Sequence, residues 1–462
     1  MFVMACAGAS PDLVLPGRTT REDVRGVWRS QGYGWVLAVD RRDLVLFHES
    51  AGGCYVDPAG TGELLELFGH RRAGPAGTID FFHYPGEPVF RFERLAGLPP
   101  ACAEPPVWDA RRVLEVFVAT MTEQYPFFAA RGVDWAARVE VARGRVTPET
   151  TKAGLFAALA EALRGLEDAH VRLAAIVDGK LLELEEPHSP TLEALARRAE
   201  AGKVAPKEGL RAWLRGYRDD VLSRVLGGAG HVGANERVVW GRAAPRVGYI
   251  NVMTMGGFVD DGTPAQELAA LDEVLDAALA GLAGVDAMIV DVSNNHGGYD
   301  LIARALAGRF ADTRRLAYTK LAHATVGPAQ ALYVEPSPRA RFTGPVYVLT
   351  SDVTVSAGEV FVMTMRALPQ VVQVGATTRG AFSDVLVKPL PNGWELELSN
   401  EVYRDAKGEL FEGRGLPPAH ALAVFPAEDL DHGHAAAVAG LVAQIAAGTA
   451  LARGGGDPPV LP

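Results

Sequence analysis

The strongest candidate for chemistry in this sequence is a serine between an apolar strand and an amphipathic helix. Residues 344–368 read GPVYVLTSDVTVSAGEVFVMTMRAL, in which a strand ends, a short polar loop follows and Ser356 opens a helix. A hydroxyl at this place lies at the positive end of the helix dipole, beside free backbone N–H groups that stabilise an alkoxide and an oxyanion. The same letters fit a capping box, with Ser356 as N-cap and Glu359 at N3, and spacing alone favours this structural interpretation.

A second segment carries two adjacent glycines after a buried strand. Residues 287–306, AMIVDVSNNHGGYDLIARAL, run from the strand through the turn at Gly297 and Gly298 into a helix. Paired glycines allow backbone N–H groups to approach a ligand closely, as an oxyanion hole requires, although plain turn formation explains them equally well. The segment has neither a phosphate-loop pattern nor GxGxxG, so nucleotide binding is not supported.

Two further residues could take part in acid–base chemistry. His170 lies in LRGLEDAHVRL, residues 163–173, and Glu412 lies in ELFEGRGLPPAHAL, residues 409–422. In isolation each has an ordinary structural explanation, as a surface or hydrogen-bonded histidine and as a solvated loop carboxylate.

Taken together and in this order, these segments resemble the tail-specific (C-terminal-processing) serine protease family. The closer resemblance is to its branch containing the tricorn core protease and the interphotoreceptor retinoid-binding protein repeats. It covers about residues 106–425 and includes the helical lead-in YPFFAARGVDWAA at residues 125–137. The family motifs D-x-H-[VT], D-x-R-x-N-x-G-G, T-S-x-x-T-x-S-A-x-E, G-x-T-x-G and G-x-G-[VL]-x-P are matched in turn by Asp168–Val171, Asp291–Gly298, Thr350–Glu359, Gly375–Gly380 (one residue longer) and Gly413–Pro418.

The resemblance implies that Ser356 is the nucleophile of a serine peptidase that needs no metal or cofactor and acts on a protein or peptide substrate. In the tricorn-like branch its partners are a His from the helical region and a Glu in the closing element, and His170 and Glu412 occupy those places. His170 would act as general base and then as general acid, and its reference pKa of about 6.5 suits that cycle. Glu412 would orient the imidazole and stabilise its cation.

The resemblance also implies an oxyanion hole made by the N–H of Ala357 with that of Gly297 or Gly298. This chain has Ala169 where the branch places a serine that bridges the His to the Glu. Glu412 would then meet the imidazole directly or through water, or Asp168 would orient the ring instead.

Other departures separate this chain from its relatives. The C-terminal-processing branch uses a lysine base at the position of Ala381, and the nearest lysine here is Lys388, so a Ser–Lys dyad is disfavoured. The motif arginine is replaced by Ser293, and the usual aspartate after the closing proline is Ala419. Because of these departures, the alternative that the protein is a catalytically inactive homologue stays open.

The expected architecture is an α/β fold whose catalytic sheet domain is crotonase/ClpP-like. Residues 1–105 show short alternating runs typical of a β-rich domain, residues 106–244 are mostly helical and carry His170, and residues 245–450 alternate strands with helices. The continuous apolar run Ala287–Val292 predicts a strand covered on both faces. The last residues, 451–462, are expected to form a flexible tail.

Composition excludes several classes of function. The 462 residues amount to roughly three domains at ~150 residues each. With 45 basic against 56 acidic residues, the net charge of −11 gives no electrostatic basis for binding nucleic acid or an anionic membrane. No stretch reaches the ~18–20 apolar residues that span a bilayer. An oligomer is possible, but nothing in the sequence specifies one.

The three cysteines, Cys6, Cys54 and Cys102, form no metal-binding pattern. A Cys54–Cys102 bridge is possible in an exported protein, and buried free thiols are the alternative. The N-terminus is too short for a full signal peptide and fits a remnant of one, a lipid-attachment box or an ordinary start. The compartment stays open, with the periplasm or cell envelope favoured.

The main alternative to catalysis is a binding protein for an apolar ligand or a partner peptide. The aromatic residues of the β-rich segment would either fill its core or surround such a ligand; they are Trp28, Tyr33, Trp35, Phe47, Phe81 and Phe82. An acyl-CoA enzyme of the crotonase type is a third possibility, but no sequence feature suggests recognition of adenine or pyrophosphate.

Overall fold

The structure, a computed structural model, describes residues 12–15, 17–103, 107–185 and 189–447. These residues form two compact units. The first extends to Glu185 and includes Leu321–Gln330 and Ser383–Val402; the second comprises the rest from Ser189 onward. The boundaries of these units differ from those of the three segments expected from sequence, residues 1–105, 106–244 and 245–450. The three-domain division stays a prediction. The expected flexible tail and the N-terminal residues considered as a signal remnant lie outside the described residues.

Ten strands and five helices are found in the described chain up to Glu185. The strands are β1 (Asp12–Leu13), β2 (Gly26–Ser30), β3 (Trp35–Val39), β4 (Leu44–Ser50), β5 (Gly53–Val56), β6 (His70–Ala73), β7 (Ile79–Phe82), β8 (Phe90–Leu95), β9 (Arg172–Val177) and β10 (Lys180–Glu185). The helices are α1 (Thr61–Phe68), α2 (Pro100–Ala103), α3 (Ala110–Gln124), α4 (Trp135–Arg145) and α5 (Lys152–Leu163).

The N-terminal strands confirm the expected β-rich region. They form an eight-stranded sheet in the order β1–β6–β7–β8–β2–β3–β4–β5, with β2 to β5 as an antiparallel meander. One face is filled by aromatic rings, as the core interpretation of these residues requires. Phe68 of α1 contacts Phe81 and Phe92 edge-on, and all three side chains are fully buried.

A covalent bond closes this region. Cys54 in β5 and Cys102 in α2 form a disulfide across 48 residues of sequence, the alternative that the cysteine count left open. Because a cross-link removes conformations chiefly from the unfolded chain, a loop of this length contributes about 4 kcal/mol in the chain-entropy treatment.

We expect a variant carrying Cys54→Ala and Cys102→Ala to lose up to about 4 kcal/mol of unfolding free energy. Urea unfolding followed by circular dichroism, with and without reductant, measures this loss. Reductant should destabilise the wild type and leave the double variant unchanged. A double variant as stable as the oxidised wild type would contradict the expectation.

From Ser189 onward the described chain forms six further helices and twelve further strands. The helices are α6 (Pro190–Ala201), α7 (Pro206–Asp220), α8 (Pro264–Gly281), α9 (Asp300–Gly308), α10 (Ala357–Arg366) and α11 (Gly433–Ala446). The strands are β11 (His231–Gly233), β12 (Val238–Ala244), β13 (Val247–Val252), β14 (Ala287–Asp291), β15 (Arg315–Ala322), β16 (Gln330–Val334), β17 (Val346–Thr350), β18 (Val371–Gly375), β19 (Val385–Pro389), β20 (Glu395–Ser399), β21 (Glu401–Asp405) and β22 (His420–Ala421).

The second unit is built on a seven-stranded sheet in the order β11–β12–β13–β14–β17–β18–β22. Strands β13, β14, β17, β18 and β22 are parallel, and β14 is buried at every residue, as expected for a doubly covered strand. Alternate residues of β14 pack into two hydrophobic cores. Met288 and Val290 belong to one core, and Ile289 belongs to the other. The expected α/β layer is therefore confirmed. A separate three-stranded sheet has the order β16–β15–β21.

Two stretches within residues 106–244, the segment expected to be mostly helical, form strands instead. Residues 231–233 and 238–244 are β11 and β12 of the seven-stranded sheet. Residues 172–185 form the hairpin β9–β10, which extends hairpin β19–β20 into a four-stranded sheet of the first unit, ordered β10–β9–β20–β19. Arg172 joins the strands, with ion pairs of 2.7 Å to Glu183 and to Glu397. Since its partner strand lies more than 200 residues later in the chain, local sequence could not indicate this pairing.

Among the described residues, no helix has the length and apolar character that crossing a bilayer requires.

Candidate active site

Ser356 has an unusual backbone conformation. Its φ of 57° and ψ of −127° place a non-glycine residue outside the common regions, immediately before α10 begins at Ala357. An ordinary N-cap is extended and uses its side-chain oxygen, whereas here the backbone carbonyl of Ser356 accepts from the N–H of Glu359 at 2.8 Å and of Val360 at 3.0 Å. The hydroxyl makes no hydrogen bond to the helix, so it is not consumed by capping. Such strain is typical of functional sites.

The loop that carries Ser356 is bonded to the loop that carries the glycines. Ser351 Oγ donates to the carbonyl of Ser293 at 2.5 Å, and Thr354 Oγ1 donates to the carbonyl of Val292 at 2.8 Å. These contacts arise because β14 and β17 are parallel neighbours, so both loops leave the same edge of the sheet. The two segments singled out by sequence therefore lie side by side.

Gly297 lies directly against the serine. A Cβ at Gly297 would lie 2.9 Å from Ser356 Cβ and 3.4 Å from Ser356 Oγ, and its φ of +83° favours glycine. The buried Asn295 fixes this approach, since its Oδ1 accepts from the N–H of Gly297 at 2.9 Å and its Nδ2 donates to the carbonyl of Val252 at 2.8 Å. Sequence reasoning missed Asn295, although the motif that names the glycines contains it.

Two backbone donors near the serine have no acceptor in the described part of the chain. They are the N–H groups of Ala357, at the first position of α10, and of exposed Gly298. The N–H of Gly297 already donates to Asn295, so Gly298 is the better of the two glycine donors named from sequence. Free N–H groups at a helix N-terminus and an adjacent turn are what an oxyanion hole uses.

The segment Gly380–Phe382 connects the serine to both glutamates. The Ser356 N–H donates to the carbonyl of Ala381 at 3.0 Å. The Glu359 carboxylate accepts from the N–H groups of Gly380 at 2.6 Å and Ala381 at 2.8 Å, and the buried Glu412 accepts from the N–H of Phe382 at 3.0 Å. Burial raises the pKa of Glu359, although hydrogen bonds from Thr378, Ala381 and Gly380 oppose the rise.

Glu359 was interpreted from sequence only as half of a capping box. Its carboxylate lies 3.3 Å from the Ser356 N–H, as that motif requires, but its shorter bonds go to Gly380 and Ala381. It therefore positions the segment on which the serine rests. The S-x-x-E spacing was the available signal, and it indicated the contact without indicating its use.

His170 and Asp168 belong to the first unit, whereas Ser356 and Glu412 belong to the second. His170 is half-buried, and its backbone N–H donates to Asp168 Oδ1 at 3.0 Å. The fully buried Asp168 also accepts from Tyr125 Oη at 2.8 Å and pairs with Arg131 at 3.2 Å. In these contacts Asp168 holds the main chain of the turn that carries His170.

The lysine considered as an alternative base is occupied elsewhere in the first unit. Lys388 is buried, and its Nζ donates to the carbonyls of Tyr33 at 2.5 Å and Gly34 at 3.2 Å. Burial lowers its pKa well below the usual range. These contacts agree with the expectation that disfavours a Ser–Lys dyad.

Asp291 anchors the start of the glycine turn. Its fully buried carboxylate accepts from Tyr249 Oη at 2.5 Å and from the N–H of Ser293 at 2.8 Å, and lies 2.6 Å from His434 Nε2. Burial tends to raise the pKa of this carboxyl, but His434 and the donated hydrogen bonds hold it below its usual range. An ionised Asp291 therefore fixes the conformation in which β14 enters the turn.

His296 gives the turn a measurable pH dependence. Burial, with the positive charges of Arg379 and Arg237, lowers its pKa to about 4. In the unfolded chain this histidine is protonated below about pH 6.5, whereas in the folded chain it is protonated only below about pH 4. The free energy of unfolding therefore falls as the pH is lowered from about 6.5 to about 4. We expect this residue to account for a loss of about 2–3 kcal/mol between pH 7 and 4.5. Urea unfolding of wild type and His296→Gln at both pH values measures it, and equal losses in the two proteins would contradict the assignment.

Among the described residues, no group of three or more His, Cys, Asp or Glu side chains is placed to hold a metal ion.

The chain resembles known proteins in part of its sequence and in its fold. Residues 246–421 match the sequence model of peptidase family S41. A candidate peptidase from Parabacteroides merdae is 24% identical and aligns over 73% of this chain and 97% of its own, with a TM-score of 0.58. Mature CPAF is 15% identical and aligns over 74% of this chain and 98% of its own, with a TM-score of 0.53. These two likenesses show a shared fold.

Two comparisons add nothing further. The tricorn protease aligns over 88% of this chain and 45% of its own at 12% identity, and its TM-score of 0.40 carries no argument about the branch. A search of curated protein sequences finds no significant match.

Proposed function

We propose that this chain, whose residues 246–421 match the sequence model of peptidase family S41, is a serine peptidase that cleaves peptide bonds with Ser356 as nucleophile, His170 as base and Glu412 as the carboxylate that orients the imidazole. The observation that carries the proposal is the placement of Ser356. Its hydroxyl is free of the helix cap, and Ala357 and Gly298 offer unused N–H donors beside it. A protein or peptide is the substrate class.

In the proposed reaction His170 takes the proton of Ser356 as Oγ attacks the scissile carbonyl carbon. The carbonyl oxygen becomes an oxyanion, held by the N–H groups of Ala357 and Gly298. His170 then gives its proton to the leaving amine, and the acyl-enzyme ester remains. Water, deprotonated by the same imidazole, hydrolyses the ester and restores Ser356.

The two candidate orienting acids differ in their surroundings. Asp168 already binds Tyr125, Arg131 and the main chain of His170, which suits it to holding a turn. Glu412 is buried and accepts from Phe382, next to the residue that binds the Ser356 N–H. We therefore assign the orienting role to Glu412, as the tricorn-like branch would have it.

The nucleophile is tested by labelling with a fluorophosphonate probe. We expect wild type to be labelled at one serine, and Ser356→Ala to lose both the label and about 10⁵–10⁶-fold of kcat. Ser223→Ala, which removes an exposed hydroxyl that donates to the carbonyl of Asp219, is the control for specific labelling and should keep the label. Equal labelling of wild type and Ser356→Ala would overturn the assignment and favour a binding protein without catalysis.

A further inference from the structure

The first unit contains a cavity of about 580 Å³ that the proposed reaction does not use. It lies between β3, β4 and α1 on one side and the hairpin β19–β20 on the other. Buried side chains form its floor, among them Trp35, Leu46 and Leu386. Its volume falls within the ~300–1,000 Å³ of ordinary ligand sites.

One wall of the cavity is aromatic. Tyr33 and Trp35 are stacked with ring centroids 4.9 Å apart, and Phe90 meets them edge-on at 5.1 Å and 5.3 Å. Aromatic faces attract apolar groups and also organic cations, which the ring quadrupole stabilises.

The ionisable groups that line the cavity are predominantly acidic. No lysine or arginine is among its described lining residues, whereas the carboxylates are Asp57, Glu63, Glu66, Asp384, Glu395 and Glu401. Glu395 is paired with Arg172, and Glu401 accepts from Tyr33 Oη at 2.5 Å. The buried Lys388 binds the main-chain carbonyl of Tyr33, and burial lowers its pKa strongly. The net field therefore favours a positively charged ligand.

Three buried polar atoms of the lining, Trp35 Nε1, His48 Nδ1 and Asn400 Oδ1, have no hydrogen-bond partner in the described part of the chain. Trp35, only 6% exposed, leaves its Nε1–H without an acceptor, whereas Trp28 Nε1 donates to the carbonyl of Val24 at 2.7 Å. His48, 2% exposed, has Nε2 at 2.5 Å from Asp57 Oδ2 and leaves Nδ1 unpartnered. Buried polar atoms are normally satisfied, so each of these atoms requires an explanation.

Trp35 Nε1 and His48 Nδ1 have complementary hydrogen-bonding roles. Burial lowers the pKa of His48 to about 4, so the ring is neutral at pH 7. With Nε2–H donating to Asp57, Nδ1 is then an acceptor. Trp35 and His48 both line the cavity, and the indole donor and imidazole acceptor that they leave unpartnered match the carbonyl and N–H of a peptide group.

An edge strand borders the same cavity. The four-stranded sheet ends at β19, whose Val385 and Val387 line the cavity and are 41% and 46% exposed. An exposed edge strand offers backbone groups to which an extended peptide can add. Pro389 ends the strand and limits the length that can pair.

We propose that this cavity binds a short extended peptide segment carrying a lysine or arginine next to an apolar residue. A peptide carbonyl accepts from Trp35 Nε1–H, a peptide N–H donates to His48 Nδ1, and the cationic side chain lies among the carboxylates of the rim. The inference goes beyond the proposed function, because binding here requires no bond cleavage.

Isothermal titration calorimetry on the full chain carrying Ser356→Ala tests binding without turnover. The probe is acetyl-Leu-Lys-Leu-Lys-amide, compared with peptides in which glutamine or glutamate replaces both lysines. We expect the lysine peptide to bind at least tenfold more tightly than the glutamine peptide, and more weakly as salt is added, with no measurable binding of the glutamate peptide. Equal affinities for the three peptides, or no binding, would overturn the proposal.

Two further variants, each added to Ser356→Ala, locate the binding. Trp35→Phe keeps the ring and removes the N–H donor, so it should weaken the lysine peptide about tenfold. Trp240→Phe, outside the cavity lining, is its control and should change nothing. Glu66→Gln, at an exposed rim position that perturbs the fold little, should reduce the affinity and its salt dependence. Unchanged affinity in both Trp35→Phe and Glu66→Gln would overturn the site. Spermidine binding as tightly as the lysine peptide would overturn the assignment to a peptide.

Discussion

Replacing His170 by alanine should lower kcat/KM for peptide hydrolysis by about four orders of magnitude, the scale of losing one member of a Ser-His-acid triad. The loss should appear in kcat, because the imidazole moves protons after the substrate has bound. The fold should persist, since Asp168 binds the backbone N–H of residue 170, which alanine retains. Steady-state kinetics with a fluorogenic peptide and thermal unfolding measure the two effects separately.

A histidine with no proposed role provides the control. His231 lies exposed on β11, stacked on Trp240 with ring centroids 4.1 Å apart, and His231→Ala should leave kcat/KM unchanged. Labelling by the fluorophosphonate should fall with the kinetics in His170→Ala, because the probe also needs an activated serine. A His170→Ala enzyme that keeps more than a tenth of the wild-type kcat would exclude this residue as the base.

Replacing Gly297 by alanine should cost both activity and stability. The new methyl carbon would lie 2.9 Å from Ser356 Cβ and 3.3 Å from the carbonyl oxygen of Val355, so the serine or the turn must shift. Displacing a nucleophile by about 1 Å can cost ~10²-fold in rate, and we expect kcat to fall by at least that factor. The positive φ adds about 1–2 kcal/mol of backbone strain to the folded state.

Substitution of Gly284 is the control that separates backbone strain from the steric clash with Ser356. It has the same φ of +83°, but a Cβ there would meet no atom within 4 Å. Gly284→Ala should therefore lose a similar amount of unfolding free energy through backbone strain, and it should keep the wild-type kcat. If the two variants lose equal activity, the effect of Gly297→Ala is general destabilisation, and the close approach to Ser356 has no catalytic meaning.

Much of the second unit was predictable from sequence because its signals are local. The apolar run at Ala287–Val292 corresponds to β14 at Ala287–Asp291, and the helix expected to open at Ser356 corresponds to α10, which begins at Ala357. Parallel strands joined by helices must place their following loops on one edge, so the approach of the serine and glycine loops follows from the order of elements.

The remainder depends on contacts that local sequence does not encode. Hairpin β9–β10 turns at Asp178 and Gly179, both at positive φ, and this Asp-Gly pair is a local hairpin signal that the interpretation of residues 106–244 as mostly helical missed. Only the pairing of β9 with β20, far along the chain, is not encoded locally. The positive φ of Ser356 is imposed by its surroundings, since serine has no intrinsic preference for that conformation. The capping-box spacing could not reveal that Glu359 chiefly binds Gly380 and Ala381.

The segment Gly380–Phe382 holds the nucleophile and its neighbours through main-chain atoms. It binds Ser356, Glu359 and Glu412 through main-chain N–H and C=O groups alone, and the side chain of residue 381 makes none of these bonds. These bonds do not depend on the identity of the side chain at position 381, although Ala381 is buried and leaves little room for a larger one. By the resemblance drawn from sequence, Ala381 occupies the position at which the C-terminal-processing branch carries its lysine base, so this segment would hold Ser356 in the same way whichever residue served as the base.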